Sequence, residues 1–215
     1  MKKLILASSS IHRKKLLRQL KLKFTVIKPN IDESRKKGEE INKFVKRLSY
    51  EKAMKVAAKN VNAIVIGSDE VALIGGKILG KPKTVNNAKK QLRSISGKKI
   101  IFKTGICVIC ISENKIYKSV VNYSLKMKKL SNSQIENYIK NEDMLNCAGS
   151  IRIEGLAISL VEKAEGQDPT SIIGLPLIRL TSYLEKLGYD VIYVMMKNDQ
   201  NPSSSFLFLC RDHST

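Results

Sequence analysis

Short apolar blocks and stripes of helical period take turns along this chain of 215 residues. KKLILA, residues 2–7, is apolar enough to predict a strand. SSSIHRKKLLRQL then spaces Ile11, Leu16, Leu17 and Leu20 roughly as a helix does, with Ser10 placed to cap it. LKFTVI predicts a second strand, and PNIDESRKKGEE a polar loop. From Glu39 to about Ala58, the positions of Ile41, Phe44, Val45 and Leu48 give an amphipathic helix. AIVIG then reads as a buried strand that ends where Asp69 and Glu70 stand side by side. Gly75-Gly76, between ALI and KIL, is a hairpin turn signal.

In the second half, Thr84 predicts the cap of a helix through Ile95, stopped by Ser96-Gly97. Two long β-type runs follow, Lys99 to Ile111 and Lys115 to about Met127, and Ser131 opens another helix in SQIENYIK. CAGSIRIEG is loop-like, LAISLVE predicts a strand, and GLPLIRLTSYLEKLG a helix entered through Pro176 at its first position. Strands and helices alternate early, and the middle turns antiparallel. The fold class expected is α/β, a mixed twisted sheet flanked by helices with a cleft at strand ends. There is no internal repeat and no linker, so residues 1–195 are expected to form a single domain. Residues 196–215 differ in character and read as a C-terminal tail, within which FLFLC is either mobile or a last strand.

Composition changes this picture little. With 43% apolar residues, a chain of this length can bury roughly 70% of its unfolded surface without staples. Of the four cysteines, Cys107 and Cys110 form a C-x-x-C inside the strand-like GICVICIS. Residues three apart on a strand face opposite ways, so the pair is expected to be two buried thiols and not a chelate or a disulfide. That suits a reducing compartment. No signal peptide and no apolar run of membrane-spanning length is evident, so a soluble, cytoplasmic protein without membrane partners is expected. The net charge of +20 is nearly all scattered lysine, with no zinc-finger spacing, no RNP-like motif and no Trp. It argues against a specific nucleic-acid partner, while still drawing small anions over a Debye length of about 8 Å.

Two stretches carry candidate chemistry. Gly75 to Lys81 formally matches G-x-x-x-x-G-K, but a phosphate-binding P-loop needs Ser or Thr next, and a helix. Pro82 supplies neither hydroxyl nor N–H. The better site is Asp69 and Glu70 at a strand end, with one acid free to activate water or hold a metal and Lys81 returning toward a phosphate. LASSSIHRKKLL adds three hydroxyls at a helix start with Arg13 in the first turn, a natural anion site.

LILASSSIHRKKLL, IDES, the EKA of Glu51 to Ala53, GSDEV, GKILGKP, FKTGI, CAGS, EG and IGLPL resemble, in order and spacing, the Maf family of nucleoside triphosphate pyrophosphatases. The resemblance covers roughly residues 3 to 190. GSDEV, CAGSIRIEGLAISL and GQDPTSIIGLPL look most like the branch acting on 7-methyl-GTP. It implies Asp69 as the general base, and Ser8, Arg13, Lys52 and Lys81 as phosphate-binding residues. Glu33 and Asp69 become the candidate ligands of a divalent metal (Mg, Mn or Co), and His12, Glu70 and Glu154 the specificity positions. The expected reaction is hydrolysis of the α–β bond to the monophosphate and pyrophosphate, and a homodimer is expected by analogy. Three positions depart from the family pattern: Ile11 stands for the usual proline, His12 for a larger aromatic, and Glu70 for the branch's glutamine, adding a charge to the base pocket.

Other readings stay open at this level. The same reaction on dTTP or UTP would change only the base. A non-catalytic regulator of cell division is suggested by the family's early association with septum formation, and a nucleic-acid module by charge alone.

Overall fold

The structure is a computed structural model and describes residues 2–192; the expected tail, 196–215, lies outside them. Among the described residues the strands form one mixed seven-stranded sheet. In chain order they are β1 (Leu4–Leu6), β2 (Thr25–Val26), β3 (Ile64–Ile74), β4 (Lys77–Leu79), β5 (Lys99–Cys110), β6 (Lys115–Met127) and β7 (Val161–Gly166). Their spatial order is β2-β1-β3-β5-β6-β7, with β4 folded back on β3. The β2, β1 and β3 strands run parallel, whereas β3, β5, β6 and β7 pair antiparallel. The early alternation and the antiparallel middle of the sequence are both realised.

Among the described residues five α-helices cover the sheet: α1 (Ile11–Gln19), α2 (Ile41–Ala57), α3 (Val85–Ile95), α4 (Asn132–Asn141) and α5 (Leu177–Glu185). Ser10, Thr84 and Ser131 cap α1, α3 and α4 through their hydroxyls, and Ser131 forms a full capping box with Gln134. Strand alternation sorts the core into two faces. Even-numbered β3 residues Ile64 and Ile66 pack with Leu16, Leu17, Leu180 and Leu184 of α1 and α5. Odd-numbered Val65, Val71 and Leu73 pack toward α2. Cys107 and Cys110 fall in different clusters on opposite faces, as the strand argument expected, and both are free thiols.

Three expectations need correction. Asp69 and Glu70 are not at the end of a strand; β3 continues for four residues past Glu70, held by β5 along its length and by β4 at Ala72–Ile74. What ends near the acids is the neighbour, because β1 pairs only as far as Ile66. Second, LAISLVE is not a strand throughout. Leu156–Leu160 is a 3₁₀ segment that buries Ala157 and Leu160, three apart, and β7 begins at Val161. Third, Pro176 is the N-cap of α5 and not its first helical residue. The hairpin holds: Gly75 and Gly76 both take positive φ, 52° and 79°, which suits a two-residue turn. Gly75 to Lys81 is therefore turn and edge strand, without the helix a P-loop needs.

Candidate active site

The early end of β1 leaves Gly67 to Val71 of β3 with a strand on one side only. A cavity of about 900 Å³ opens at this gap. It is lined by all nine residues singled out in the sequence: Ser8, His12, Arg13, Glu33, Lys52, Asp69, Glu70, Lys81 and Glu154. Asp69 points to the α2 face and Glu70 to the face of α1. Because the cavity wraps round the open edge, two residues on opposite faces reach one site.

On the α2 face, Lys52 is buried and bridges two acids. Its Nζ donates to Asp69 Oδ1 at 2.7 Å and to Glu33 Oε2 at 2.8 Å. Lys52 lies on the cavity side of α2, whose axis is held close to the sheet at Gly67 and Gly105. Glu33 comes from the polar loop before α2. That loop is fastened by Arg47, which donates from Nε and Nη2 to the two oxygens of Glu39 and from Nη2 to the carbonyl of Ser34. The two acids already share one cationic group, and oxygen donors suit a hard divalent ion. No three His, Cys, Asp or Glu among the described residues are grouped to hold a metal by themselves. Such an ion would fit here as one that keeps water and phosphate oxygens in its shell, as Mg²⁺ commonly does.

On the other face, the start of α1 supplies free N–H groups and no acidic residue in its first turn. Ser8 is buried and accepts from the N–H of Ser10, while Ser10 accepts from that of Arg13. Arg13 is anchored through Nε to the carbonyl of Gly174 at 2.8 Å. The same carbonyl accepts from Ser68 Oγ at 2.8 Å, and that hydroxyl also reaches Gly105 O. Gly174 has φ 107°, and a Cβ there would sit 3.2 Å from Arg13 Nε. Ser68, inside GSDEV, was read only as part of a motif; its buried hydroxyl ties the sheet to the Arg13 anchor. Lys28 and Arg35, just before and within the polar loop, also line the cavity, two cations the sequence reading did not single out.

Glu70 lies beside this anchor, 3.6 Å from the Cβ position of Gly174. Its Oε1 is shielded from solvent and has no hydrogen-bond partner. Burial pushes its carboxyl up to about 8; Arg13 and Lys81 oppose this, and Asp69 and Glu154 add to it. At neutral pH it is mostly protonated, so it carries one donor and one acceptor. Across the cavity mouth His12 Nδ1 lies 2.8 Å from Glu154 Oε1.

Taken together, the arrangement is an open, cation-lined cavity with a carboxylate at its floor and a second acidic group near its mouth. It can grip a chain of phosphates and present Asp69 to a water. No helix among the described residues is long and apolar enough to cross a membrane.

Comparison with known proteins gives the family. A family model described as Maf-like protein matches residues 3–187. A 7-methyl-GTP pyrophosphatase of Nitrosococcus oceani is 45% identical over 189 residues, covering 88% of this chain and 95% of that protein. A namesake from Colwellia psychrerythraea is 45% identical over 192 residues, 89% of this chain and 96% of its own length. One from Pseudomonas aeruginosa is 44% identical over 188 residues, 87% and 98% respectively. With the family model spanning most of its length and relatives this similar end to end, the chain belongs to the Maf-like protein family.

Proposed function

We propose that this protein is a nucleoside triphosphate pyrophosphatase that hydrolyses the α–β phosphate bond of 7-methyl-GTP to 7-methyl-GMP and pyrophosphate. The observation that carries the reading is the meeting of Asp69 with Lys52, Arg13 and Lys81 in one cavity. The names of the similar proteins supply the base.

In this reading the triphosphate lies along the start of α1. The free N–H groups there, Ser8 and the Arg13 guanidinium bind its oxygens. Lys81 and Lys52 meet the charge from the hairpin side and the α2 side. The Asp69 carboxylate orients a water toward the α-phosphorus and takes its proton as the new P–O bond forms. The bridging oxygen leaves with the β-phosphate, and the cations stabilise the charge that gathers there. A divalent cation held by Glu33, Asp69 and substrate oxygens would neutralise the triphosphate and lower the pKa of the attacking water.

Base selection falls to the mouth of the cavity. A Glu154 carboxylate can accept from the N1–H and the amino group of guanine, and protonated Glu70 can donate to its O6. The positive charge of a 7-methylated ring favours an acidic mouth over a neutral one, and His12 offers a flat face for stacking. A cytoplasmic location, in keeping with the free thiols, and a homodimer belong to the same proposal.

The test is product release on a panel of 7-methyl-GTP, GTP, dTTP, UTP, CTP and ITP with Mg²⁺, Mn²⁺ or Co²⁺, pyrophosphate being measured apart from orthophosphate. Pyrophosphate chiefly from 7-methyl-GTP is expected. Preference for a pyrimidine would overturn the base assignment, and release of orthophosphate alone would overturn the reaction.

A further inference from the structure

Glu154 sits in a turn, outside any helix or strand, so no regular element fixes it. Tyr138 Oη accepts from the Arg152 N–H at 3.2 Å, but one side chain touches Arg152, Gly155 and Leu156 together. Glu142 is the C-cap of α4, where the helix dipole disfavours an acid. Its side chain is nonetheless turned inward and only 7% exposed. The carboxylate accepts from Arg152 Nη1 at 2.6 Å, from the Leu156 N–H at 2.6 Å and from the Asp143 N–H at 3.1 Å. Positions 152 and 156 bracket Glu154. Between them, Gly155 packs so tightly that a Cβ there would stand 2.1 Å from Glu142 Oε2. The Nε of Arg152 is buried without a hydrogen-bond partner and faces Glu154 Oε1 at 3.8 Å.

We propose that Glu142 is a positioning residue for base selection: it clamps Arg152, Gly155 and Leu156 so that Glu154 is presented to the base across from His12. This rests on the reading that Glu154 meets the base. The clamp accounts for an acid at a helix C-terminus. Burial pushes the Glu142 carboxyl up, but the Leu156 N–H and the Arg152 charge outweigh it and hold the group below its ordinary range. The clamp therefore stays charged at neutral pH. Glycine at 155 is needed for close approach to Glu142, since its φ is not positive.

The experiment is calorimetric binding of α,β-methylene analogues of 7-methyl-GTP, GTP and dTTP, which need no turnover. The parent protein, Glu142→Gln, Glu154→Ala and the double variant are compared. Gln keeps the shape and an acceptor for the Leu156 N–H while removing the charge that holds Arg152. The variant is expected to lose preference for the favoured base on the order of 10- to 100-fold, as a misplacement of about 1 Å does. Affinity for the least favoured analogue stays within about twofold, because the phosphate side is untouched. In the Glu154→Ala background, Glu142→Gln should add nothing. Equal weakening for all three analogues, an unchanged preference, or full additivity with Glu154→Ala would each overturn the proposal. A parent that prefers the dTTP analogue, with that preference lost in Glu142→Gln, would overturn the choice of 7-methyl-GTP and still support the clamp. A parent that binds all three alike would overturn both.

Discussion

Lys52 Nζ lies 2.7 Å from Asp69 Oδ1, with the two side chains 5% and 11% exposed. The contact puts the proposed base and a proposed phosphate-binding cation in one hydrogen bond at the floor of the cavity. Asp69→Asn keeps an oxygen for Lys52 but cannot take a proton from water. We expect kcat to fall about 10²–10⁴-fold with KM little changed. The melting temperature should move by no more than a few degrees. Pyrophosphate release and a thermal melt on the same preparation check both; an unchanged kcat would remove Asp69 from the reaction.

Ser68 acts at one remove from the substrate. Its hydroxyl, fully buried, is 2.8 Å from the carbonyls of both Gly105 and Gly174, and the second of these anchors Arg13. Ser68→Ala is expected to cost about 1–3 kcal/mol of stability, the range for leaving a buried polar group underpaired. It should also raise KM for every nucleotide by a similar factor, because the proposed role of Arg13 is to bind phosphate and not base. Urea unfolding and a two-nucleotide kinetic comparison test this. A KM change confined to one base would contradict the assigned role.

The loop that brings Glu33 to Lys52 has its own pH dependence. The Arg47 fork on Glu39 holds that carboxyl down at about 2, against an ordinary value of 4.5. A depressed folded pKa means the contribution is complete above about 4.5 and disappears as the pH falls through about 2. Glu39→Gln should therefore be less stable than the parent at pH 7, and the difference should shrink steadily between pH 4.5 and 2. Thermal melts across that range read the gap directly; a gap independent of pH would show that the ion pair contributes nothing.

How much of this was legible in the sequence depends on the kind of signal. Ser10, Thr84 and Ser131 were readable as caps because capping is local chemistry, and Gly75-Gly76 because a two-residue hairpin demands positive φ. The opposite faces of Asp69 and Glu70 followed from strand alternation alone. The length of β3 did not, because the feature that opens the site is where its neighbour β1 stops, and pairing partners are not a local property. LAISL misled for a related reason: a short continuous apolar run does not distinguish a buried strand from a 3₁₀ segment. Ser68, Gly174 and Glu142 work through carbonyls and N–H groups distant in the chain, so their residue types carried no visible sign of the task.

Gly67 shows how the sheet sets the Lys52–Asp69 distance, and it supports the last prediction. A Cβ at Gly67 would lie 2.2 Å from the carbonyl oxygen of Ser49 and 2.8 Å from the nitrogen of Ala53, both backbone atoms of α2. At Gly105, on the strand paired with β3, a Cβ would lie 2.2 Å from Val45 O. Two glycines thus let the helix rest directly on the sheet, and Lys52 is the residue before Ala53. Backbone cannot rotate aside as a side chain does, so Gly67→Ala must push α2 outward. We expect a loss of about 1–3 kcal/mol or more from overpacking. Turnover should fall as well, because Lys52 moves with the helix and away from Asp69. Gly80→Ala serves as the control, since a Cβ there meets nothing within 4 Å and its φ is not positive. It should stay within about 0.5 kcal/mol of the parent, with turnover retained. Urea unfolding and pyrophosphate release on the two variants decide the matter: equal stability of both would mean that α2 does not depend on the missing Cβ.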